Sequence, residues 1–170
     1  MVEKKSLDCC FLVCGNSKKT YQELSKTYSA IEPPTWALLL AQSTRSVGFK
    51  VNIIDSNAED LTEDDIFNRI KDLSPKLICF VAYGQNVNAG TVNMTGVIHI
   101  ASHLKKKKID IPMSIIGSHV QALPIETLKK EKIIDFVFTN EAVYSLRNIL
   151  KLDSFNSKNL SKIKGIAYRD

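Results

Sequence analysis

Five short apolar segments, each followed by a helical pattern, constrain the fold of this chain most strongly. The third of them is apolar throughout, as expected for a strand that is buried on both faces of a parallel sheet. Strands that alternate with helices in this way predict a parallel sheet covered by helices on both faces, because such crossovers are right-handed. The five segments are Cys9–Cys14, Val51–Ile54, Leu77–Ala82, Met113–Ile116 and Ile134–Phe138.

The segments between these strands carry apolar residues at helical spacing. We predict helices over Thr35–Val47, Thr62–Leu73, Val92–Lys106, Ile125–Glu131 and Glu141–Leu150. In the first helix we assign Trp36 and the leucine and valine stripe to the core. The predicted fold class is α/β, a flavodoxin-like (Rossmann-like) five-stranded parallel sheet of order 2-1-3-4-5.

Two stretches of the chain fall outside this alternation. About twenty residues, from Gly15 to Pro34, separate the first strand from the first helix, whereas such connections are usually a few residues long and long ones are often functional. After Leu150 the sequence becomes polar, and residues 165–169 have the pattern of one further strand.

In an open parallel sheet, ligands bind outside the carboxyl ends of the strands, near the point where strand order reverses. Most side chains in the segments that follow the five strands are uncharged and form hydrogen bonds. They suit a large ligand with amides, hydroxyls and one phosphate rather than a polyphosphate. The two glycine-rich phosphate-binding motifs, G-x-x-x-x-G-K-[ST] and G-x-G-x-x-G, are absent from the sequence. These segments are Gly15-Asn16-Ser17, Asp55-Ser56-Asn57, Tyr83-Gly84-Gln85-Asn86, Gly117-Ser118-His119 and Thr139-Asn140-Glu141.

Several single residues admit a chemical interpretation and a plainer one. His119 has the titration range of a general base or metal ligand, but we favour a turn histidine that packs beside a ligand. His99 and His103 lie four residues apart, as in some metal sites, but the sequence offers no third ligand, so we predict no metal site. For Asp55 we favour capping of the next turn.

Composition excludes several classes of function. Of the net charge of +5, a large part lies in Lys105–Lys108, which has no interleaved aromatic residues and is interpreted as a solvated helix end rather than a nucleic-acid surface. The four cysteines lack Cys-x2-Cys spacing and are interpreted as buried, reduced thiols. No apolar run is long enough to span a bilayer and the N-terminus is not a signal peptide, so we expect a cytoplasmic protein.

The order of several segments resembles one family. "EPPTWALLLAQSTRSVGFKVNIIDSNAEDLTEDDIFNRI" is similar to the start of the cobalamin-binding domain at the N-terminus of cobalamin-dependent radical S-adenosylmethionine (SAM) enzymes. In that family a Pro-Pro loop leads to a helix, a Gly-(Tyr/Phe)-x-Val segment, a strand ending in Asp and an acidic helix start. "PKLICFVAYGQN", "IPMSIIGSHVQALPIETL", "IDFVFTNEAVYSLRNIL" and "LSKIKGIAYRD" resemble its later strands, its last helix and the ribbon that leads into the radical domain.

The resemblance implies that the strand ends bind cobalamin. Gly117 would let the backbone approach the corrin's nucleotide tail, and Ser118 and His119 would donate hydrogen bonds around it. The implied cofactor-binding residues are Asn16, Ser17, Tyr83, Gly84, Gln85, Asn86, Gly117, Ser118, His119, Asn140 and Glu141. The Asp-x-His-x-x-Gly signature, whose histidine binds cobalt from below in methionine-synthase-type domains, is absent. We therefore expect base-off cobalamin without a protein histidine below the metal.

Other family features are missing. The Cys-x3-Cys-x2-Cys motif that holds the radical-generating cluster is absent, so the [4Fe-4S] cluster and SAM are expected only in a downstream domain, covalent or separate. We expect residues 1–152 to form the cobalamin-binding-like domain and residues 153–170 to lead toward the radical SAM domain. The chain alone would have no catalytic residue; the parent would be a methyltransferase or a cyclase.

The family's second glycine is Ser118 here, and its Gly-Glu-Gly-Glu segment is replaced by residues 140–143, which leaves less room for a nucleotide tail. A cofactor-free structural or docking domain with the same fold is therefore the alternative. A nucleotide- or flavin-binding enzyme is a weaker third hypothesis.

Overall fold

The computed structural model describes residues 7–15, 32–84 and 87–169, except for the side chains of residues 87 and 88. Within these ranges six strands form one sheet of order β2-β1-β3-β4-β5-β6. The strands are β1 (Leu7–Val13), β2 (Val51–Asp55), β3 (Pro75–Val81), β4 (Met113–Ile116), β5 (Phe136–Phe138) and β6 (Ile166–Tyr168). The helices are α1 (Thr35–Arg45), α2 (Glu63–Leu73), α3 (Val87–Lys106), α4 (Ser118–Ala122), α5 (Pro124–Lys130), α6 (Val143–Leu150) and α7 (Ser157–Leu160).

Strands β1 to β5 are parallel and have the predicted order, so the fold class is confirmed. The sheet has one strand more than predicted, because β6 pairs antiparallel with β5 through Ala167 opposite Val137. This strand comes from the C-terminal segment in which the pattern suggested a further strand. The helix α7 precedes it and buries Leu160 against the sheet.

Alternate residues of the central strands point to two separate apolar layers. On one face, Cys10 and Leu12 of β1 pack with residues of α2 to α5, including Ile66 of α2. On the other face, Cys9 and Phe11 pack with residues of α1, α6 and α7. Both layers are continuous across β1 and β3, which places these two strands at the centre of the molecule.

The helix boundaries follow identifiable local signals. Thr62 and Asp65 form a reciprocal capping box at the start of α2, as the acidic cluster there suggested. Helix α3 begins at Val87, five residues before the predicted start at Val92. Helix α4 contains His119, for which we favoured a turn, and its five residues show no apolar periodicity.

The prediction that Trp36 belongs to the core is wrong. Trp36 is 36% exposed and Leu39 is 57% exposed. The side of α1 that contacts the sheet instead contains Ala37, Leu40 and Ala41, which are buried. Small alanine side chains let the helix lie close to the strands, and this rotates the tryptophan toward the helix flank.

All four thiols are buried, as predicted; three lie in β1 and β3, and Cys14 directly follows β1. They are free and buried: Cys9, Cys10, Cys14 and Cys79. Burial raises the pKa of Cys10, Cys14 and Cys79 to about 12. These thiols therefore stay protonated at neutral pH, as expected of packing groups rather than nucleophiles.

Candidate functional site

The strand order reverses between β1 and β3. From β1 the chain crosses to β2 at one edge, whereas from β3 it crosses in the opposite direction to β4. The carboxyl end of this strand pair is the position at which open α/β sheets bind ligands. Tyr83 follows β3 there, and Trp36 lies in the first turn of α1 above it. We call the ends of β1, β3 and β4 and the residues that contact them the carboxyl edge.

Tyr83 is fixed at the carboxyl edge by three contacts. Its ring stacks on Trp36 with centroids 4.6 Å apart and planes inclined by 22°. Its hydroxyl accepts a hydrogen bond from Gln121 Nε2 at 2.5 Å, and its carbonyl accepts one from Asn93 Nδ2 at 2.9 Å. Burial raises the pKa of the Tyr83 phenol, the Gln121 hydrogen bond lowers it, and the charge of Glu141 raises it. The net shift is upward, so the group is a neutral hydroxyl near pH 7.

Ser118 is the first residue of α4, two residues after β4, and β4 pairs with the strand that precedes Tyr83. Its Oγ is buried and has no hydrogen-bond partner among the described residues. A Cβ on Gly90 of α3 would lie 2.2 Å from this oxygen, so the glycine lets the helix pack over the serine. A buried hydroxyl without a partner is costly, and each such group in a native fold requires an explanation.

The absence of a side chain at Gly117 is explained by the chain's own packing. A Cβ there would lie 2.4 Å from the carbonyl oxygen of Ala82 and 2.8 Å from its carbon. The φ of Gly117 is 164°, which is extended backbone, so the requirement is for space rather than for an unusual conformation. Gly84 is exposed, and a Cβ at that position would lie 2.4 Å from Ala89 Cβ.

The other predicted binding residues differ in their roles. Asn140 Oδ1 accepts hydrogen bonds from the Ala142 backbone N–H at 2.9 Å and from Ser145 Oγ at 3.3 Å, so it stabilises the turn into α6. Glu141 is exposed beside it. The contact between His119 Nδ1 and Thr91 Oγ1 is 3.3 Å long. Asn16, Ser17, Gln85 and Asn86 lie outside the described residues.

Asp55 caps a turn, as predicted. Its Oδ1 accepts hydrogen bonds from the backbone N–H groups of Asn57 and Ala58, both at 3.1 Å. This carboxylate is therefore engaged with the loop after β2.

The two helical histidines contact α2 rather than the carboxyl edge. His99 Nε2 lies 2.7 Å from Glu63 Oε1, and His103 Nε2 lies 3.1 Å from Asp64 Oδ1. The hydrogen bond with His99 lowers the pKa of Glu63, and the Lys107 ammonium is the main cause of the lowered pKa of Asp64. Over residues 7–15, 32–84 and 87–169, no group of three or more acidic, histidine or cysteine side chains is arranged to hold a metal ion.

Helices α1 and α6 pack against each other on one face of the sheet. Arg147 of α6 joins the two helices, because its Nε donates to Ser43 O at 3.1 Å and to Ser43 Oγ at 3.0 Å. Both helices start at the carboxyl edge, so the residues one turn nearer to that edge are Leu39 and Val143. Both of these side chains are exposed, as is Tyr144. The Arg147 guanidinium also lies over the Tyr144 ring, 5.8 Å from its centroid.

Sequence reasoning missed Trp36, Asn93 and Gln121 as residues of this site. One signal was present for Trp36, since a residue in the first turn of the helix after β1 must lie near the carboxyl edge. No local signal marked Asn93 and Gln121, whose contacts with Tyr83 span 10 and 38 residues of sequence.

The comparison with protein families identifies the family of this chain. The family model described as the B12 binding domain matches residues 24–150, which is most of the chain. The chain belongs to the B12-binding domain family. The matched range contains Tyr83, Ser118 and the helices α1 and α6. No curated protein matches the chain with significant similarity.

Solved structures share the fold of this B12-binding domain. Two are of the radical SAM methyltransferase TsrM from Kitasatospora setae, one with tryptophan substrate and a SAM analogue and one with cobalamin and a [4Fe-4S] cluster. Each is 14% identical to this chain with a TM-score of 0.66; they cover 94% and 95% of it, and 28% and 29% of TsrM. The apo cobalamin-dependent SAM radical enzyme OxsB is 16% identical with a TM-score of 0.61, over 98% of this chain and 21% of that one.

These alignments identify the fold, and the chain spans less than a third of the length of either enzyme. Within the described residues, no helix is long and apolar enough to cross a membrane.

Proposed function

We propose that this domain binds cobalamin at the carboxyl edge of its sheet and presents it to a radical SAM catalytic domain. The cofactor would be base-off, with no protein imidazole on the lower face of cobalt. When bound, cobalamin supplies the reactive cobalt chemistry, while the protein supplies binding and orientation. The binding residues would be those of the carboxyl edge, with Ser118 at its centre.

The buried Ser118 hydroxyl is the observation that carries this proposal. It begins the helix that follows β4, in a domain of the B12-binding family, and it has no partner among the described residues. Cobalamin is rich in amide side chains and carries a phosphodiester in its tail. A ligand with such acceptors would give the hydroxyl the hydrogen bond that it lacks.

The proposed absence of a histidine ligand is supported by the positions of the three histidines. His99 and His103 contact the carboxylates of Glu63 and Asp64 on the outer side of α3. The remaining histidine, His119, contacts Thr91, and none of the three lies in an Asp-x-His-x-x-Gly sequence.

The proposed catalytic partner follows from the fold comparison and from the cysteines. TsrM and OxsB are cobalamin-dependent radical SAM enzymes in which this fold is about a quarter of the chain. The four cysteines described here are buried, so we assign the [4Fe-4S] cluster and SAM to a separate catalytic domain. We propose that residues 1–152 form the binding unit and that residues 153–170 lead toward that domain. The parent reaction would be a methyl transfer or a cyclisation.

One observation favours the cofactor-free alternative. The Trp36–Tyr83 stack occupies part of the carboxyl edge, and two cavities of about 210 and 260 Å³ are lined by residues elsewhere, such as Leu128 and Arg69. A docking domain would keep this edge filled by its own side chains. A binding domain would open the stack or use its free surface.

Titration of the full chain with hydroxocobalamin distinguishes these functions. We expect a change in the visible spectrum and colour that stays with the protein through gel filtration. Ser118→Ala should weaken binding about tenfold, the value of one hydrogen bond to a polar ligand. The control is Ser114→Ala, the same substitution at a buried serine within β4, away from the carboxyl edge. An unchanged spectrum for the wild type would exclude cobalamin binding.

A further inference from the structure

The Ser118 hydroxyl cannot contact a ligand in the conformation that the structure shows. Its oxygen is buried and has no hydrogen-bond partner among the described residues. A ligand could reach this oxygen only after the surrounding elements had moved apart. The conformation shown is therefore a closed one, and binding requires a second, open conformation to be populated.

The first turns of α3 cover this hydroxyl. Gly90 of α3 is itself buried, and a Cβ at that position would lie 2.2 Å from Ser118 Oγ and 3.3 Å from the carbonyl oxygen of Ala82. Helices α3 and α4 pack against each other at this point. Access to Ser118 therefore requires that the start of α3 and the helix α4 separate.

Of these two elements, the start of α3 is the more weakly held. Residues 89–93, which read Ala-Gly-Thr-Val-Asn, contain four poor helix formers in succession. Thr91 and Val92 are exposed, and the first large apolar side chain that the described part of α3 buries is Met94. In α4, by contrast, Val120 is fully buried, and the helix contacts β4, β5 and α5. Segments with few buried apolar contacts open locally at low free energy, so the start of α3 is the element that moves.

Two polar contacts hold this segment closed. Asn93 Nδ2 donates a hydrogen bond of 2.9 Å to the carbonyl oxygen of Tyr83, and Thr91 Oγ1 lies 3.3 Å from His119 Nδ1 of α4. Tyr83 is also fixed from the other side, because Gln121 Nε2 donates to its hydroxyl. Loss of one ordinary hydrogen bond from the closed form shifts the balance between closed and open forms about fivefold.

We propose that residues 89–93 form a lid over Ser118, the α3 lid, which opens in the free protein and whose opening admits the ligand. The role in ligand entry rests on the proposed function. Because only the open form binds, the apparent dissociation constant is the intrinsic one divided by the fraction of molecules that are open. Asn93 and Thr91 are thus autoinhibitory residues, since they stabilise the closed form against the ligand.

Opening of the α3 lid can be measured without any ligand. In Ser118→Cys a thiol replaces the enclosed hydroxyl, and its reaction with a thiol reagent at pH 8 reports the opening, because the four native thiols are buried. We expect one equivalent to react in the native state. The control is Ser114→Cys, at a fully buried position within β4, which should stay unreactive because its exposure requires global unfolding.

Variants of the two contacts show whether α3 is the moving element. In the Ser118→Cys background, Asn93→Ala should accelerate the reaction about fivefold, and Thr91→Ala should accelerate it less because its contact is longer. Gln121→Ala releases the Tyr83 hydroxyl but no contact of α3, so it should leave the rate unchanged.

Three results of this labelling would overturn the lid. They are an unreactive Ser118→Cys, a rate that Asn93→Ala leaves unchanged, and equal acceleration by Asn93→Ala and Gln121→Ala. Asn93→Ala combined with Ser114→Cys should remain unreactive, which separates opening of the lid from global unfolding. A reaction of that double variant would overturn the lid as well.

Hydroxocobalamin binding to the full chain tests the role of the lid in ligand entry. Asn93→Ala should associate faster and bind about fivefold more tightly than the wild type, whereas loss of a residue that contacts the ligand would weaken binding. If neither protein binds, the proposed function fails and ligand entry fails with it, while the labelling rates still decide whether the lid opens. If both bind but Asn93→Ala binds no more tightly, cobalamin binding stands and control of entry by the lid is overturned.

Discussion

At the scale of single residues, the carboxyl edge combines tight packing with one unsatisfied group. The glycines at positions 90 and 117 let α3 and β3 approach the end of β4 more closely than any side chain would allow. The hydroxyl enclosed by this packing, that of Ser118, has no hydrogen-bond partner in the part of the chain that the structure describes. The residues that make the fold compact here are therefore distinct from the one that we assign to the ligand.

Ser118→Ala should change stability and binding in opposite directions. Without a ligand, removal of a buried and unpartnered hydroxyl should raise the free energy of unfolding by about 1 kcal/mol. Urea denaturation of the cofactor-free protein measures this change. The control is Ser145→Ala, which removes a hydrogen bond to Asn140 and should be destabilising. A clear destabilisation by Ser118→Ala would show that the hydroxyl has a structural partner.

Gly117→Ala should destabilise the fold. The new Cβ would lie 2.4 Å from the carbonyl oxygen of Ala82, and backbone cannot rotate away as a side chain can. We expect a loss of about 1–3 kcal/mol, typical of overpacking. Unfolding midpoints in urea compare the variant with the wild type, and equal midpoints would mean that the two strand ends separate easily.

At the scale of elements, the N-termini of α1 and α2 are stabilised differently. Helix α2 starts with a complete capping box, whereas α1 starts after Pro34 with no side-chain cap. Helix α1 depends instead on its packing against the sheet and on Arg147. The better-capped helix lies away from the proposed site, and the uncapped one carries Trp36.

Thr62→Ala should cost about 1 kcal/mol of stability, because it removes the side-chain acceptor for the Asp65 backbone N–H. Thr35→Ala is the matched control, since Thr35 stands at the start of α1 but does not cap it. Chemical denaturation of both variants should show a loss for the first alone. Equal effects would show that the capping box does not stabilise α2.

The acidic start of α2 should make the protein sensitive to acid. Folding lowers the pKa of Glu63 through the hydrogen bond with His99, and that of Asp65 through the hydrogen bond with Thr62. The stabilisation is therefore present above the unfolded pKa, about 4, and is lost as pH falls through the lower folded values. Unfolding midpoints between pH 6 and pH 3 measure it. Glu63→Gln should make the unfolding midpoint fall less steeply between pH 6 and pH 3. An unchanged dependence of the midpoint on pH would contradict the assignment.

At the scale of the whole molecule, the sequence was enough for the strand order but not for the site. The five apolar segments and their crossovers leave few topologies open, which is why the order 2-1-3-4-5 was predictable. Strand β6 has three residues and pairs antiparallel, so it lacks a comparable signal. The contacts of Tyr83 with Trp36 and Gln121 join three elements, and their formation depends on how α1 rotates on the sheet.

The sheet should protect all four thiols as a unit. They lie on β1, at its end or on β3, in the two central strands, and each is buried. We expect no reaction with a thiol reagent at pH 8 in the native state and four equivalents in guanidinium, because exposure requires global unfolding. A rapid native-state reaction of one or more thiols would show that β1 or β3 opens locally.

The central claim, that the carboxyl edge binds base-off cobalamin, is tested most directly by electron paramagnetic resonance of cob(II)alamin mixed with the full chain. Free cob(II)alamin at neutral pH carries its own base on cobalt, which splits the signal through the axial nitrogen. The account predicts that the protein removes this nitrogen splitting, since neither the base nor a histidine would occupy the lower face. A spectrum that retains the splitting would contradict it.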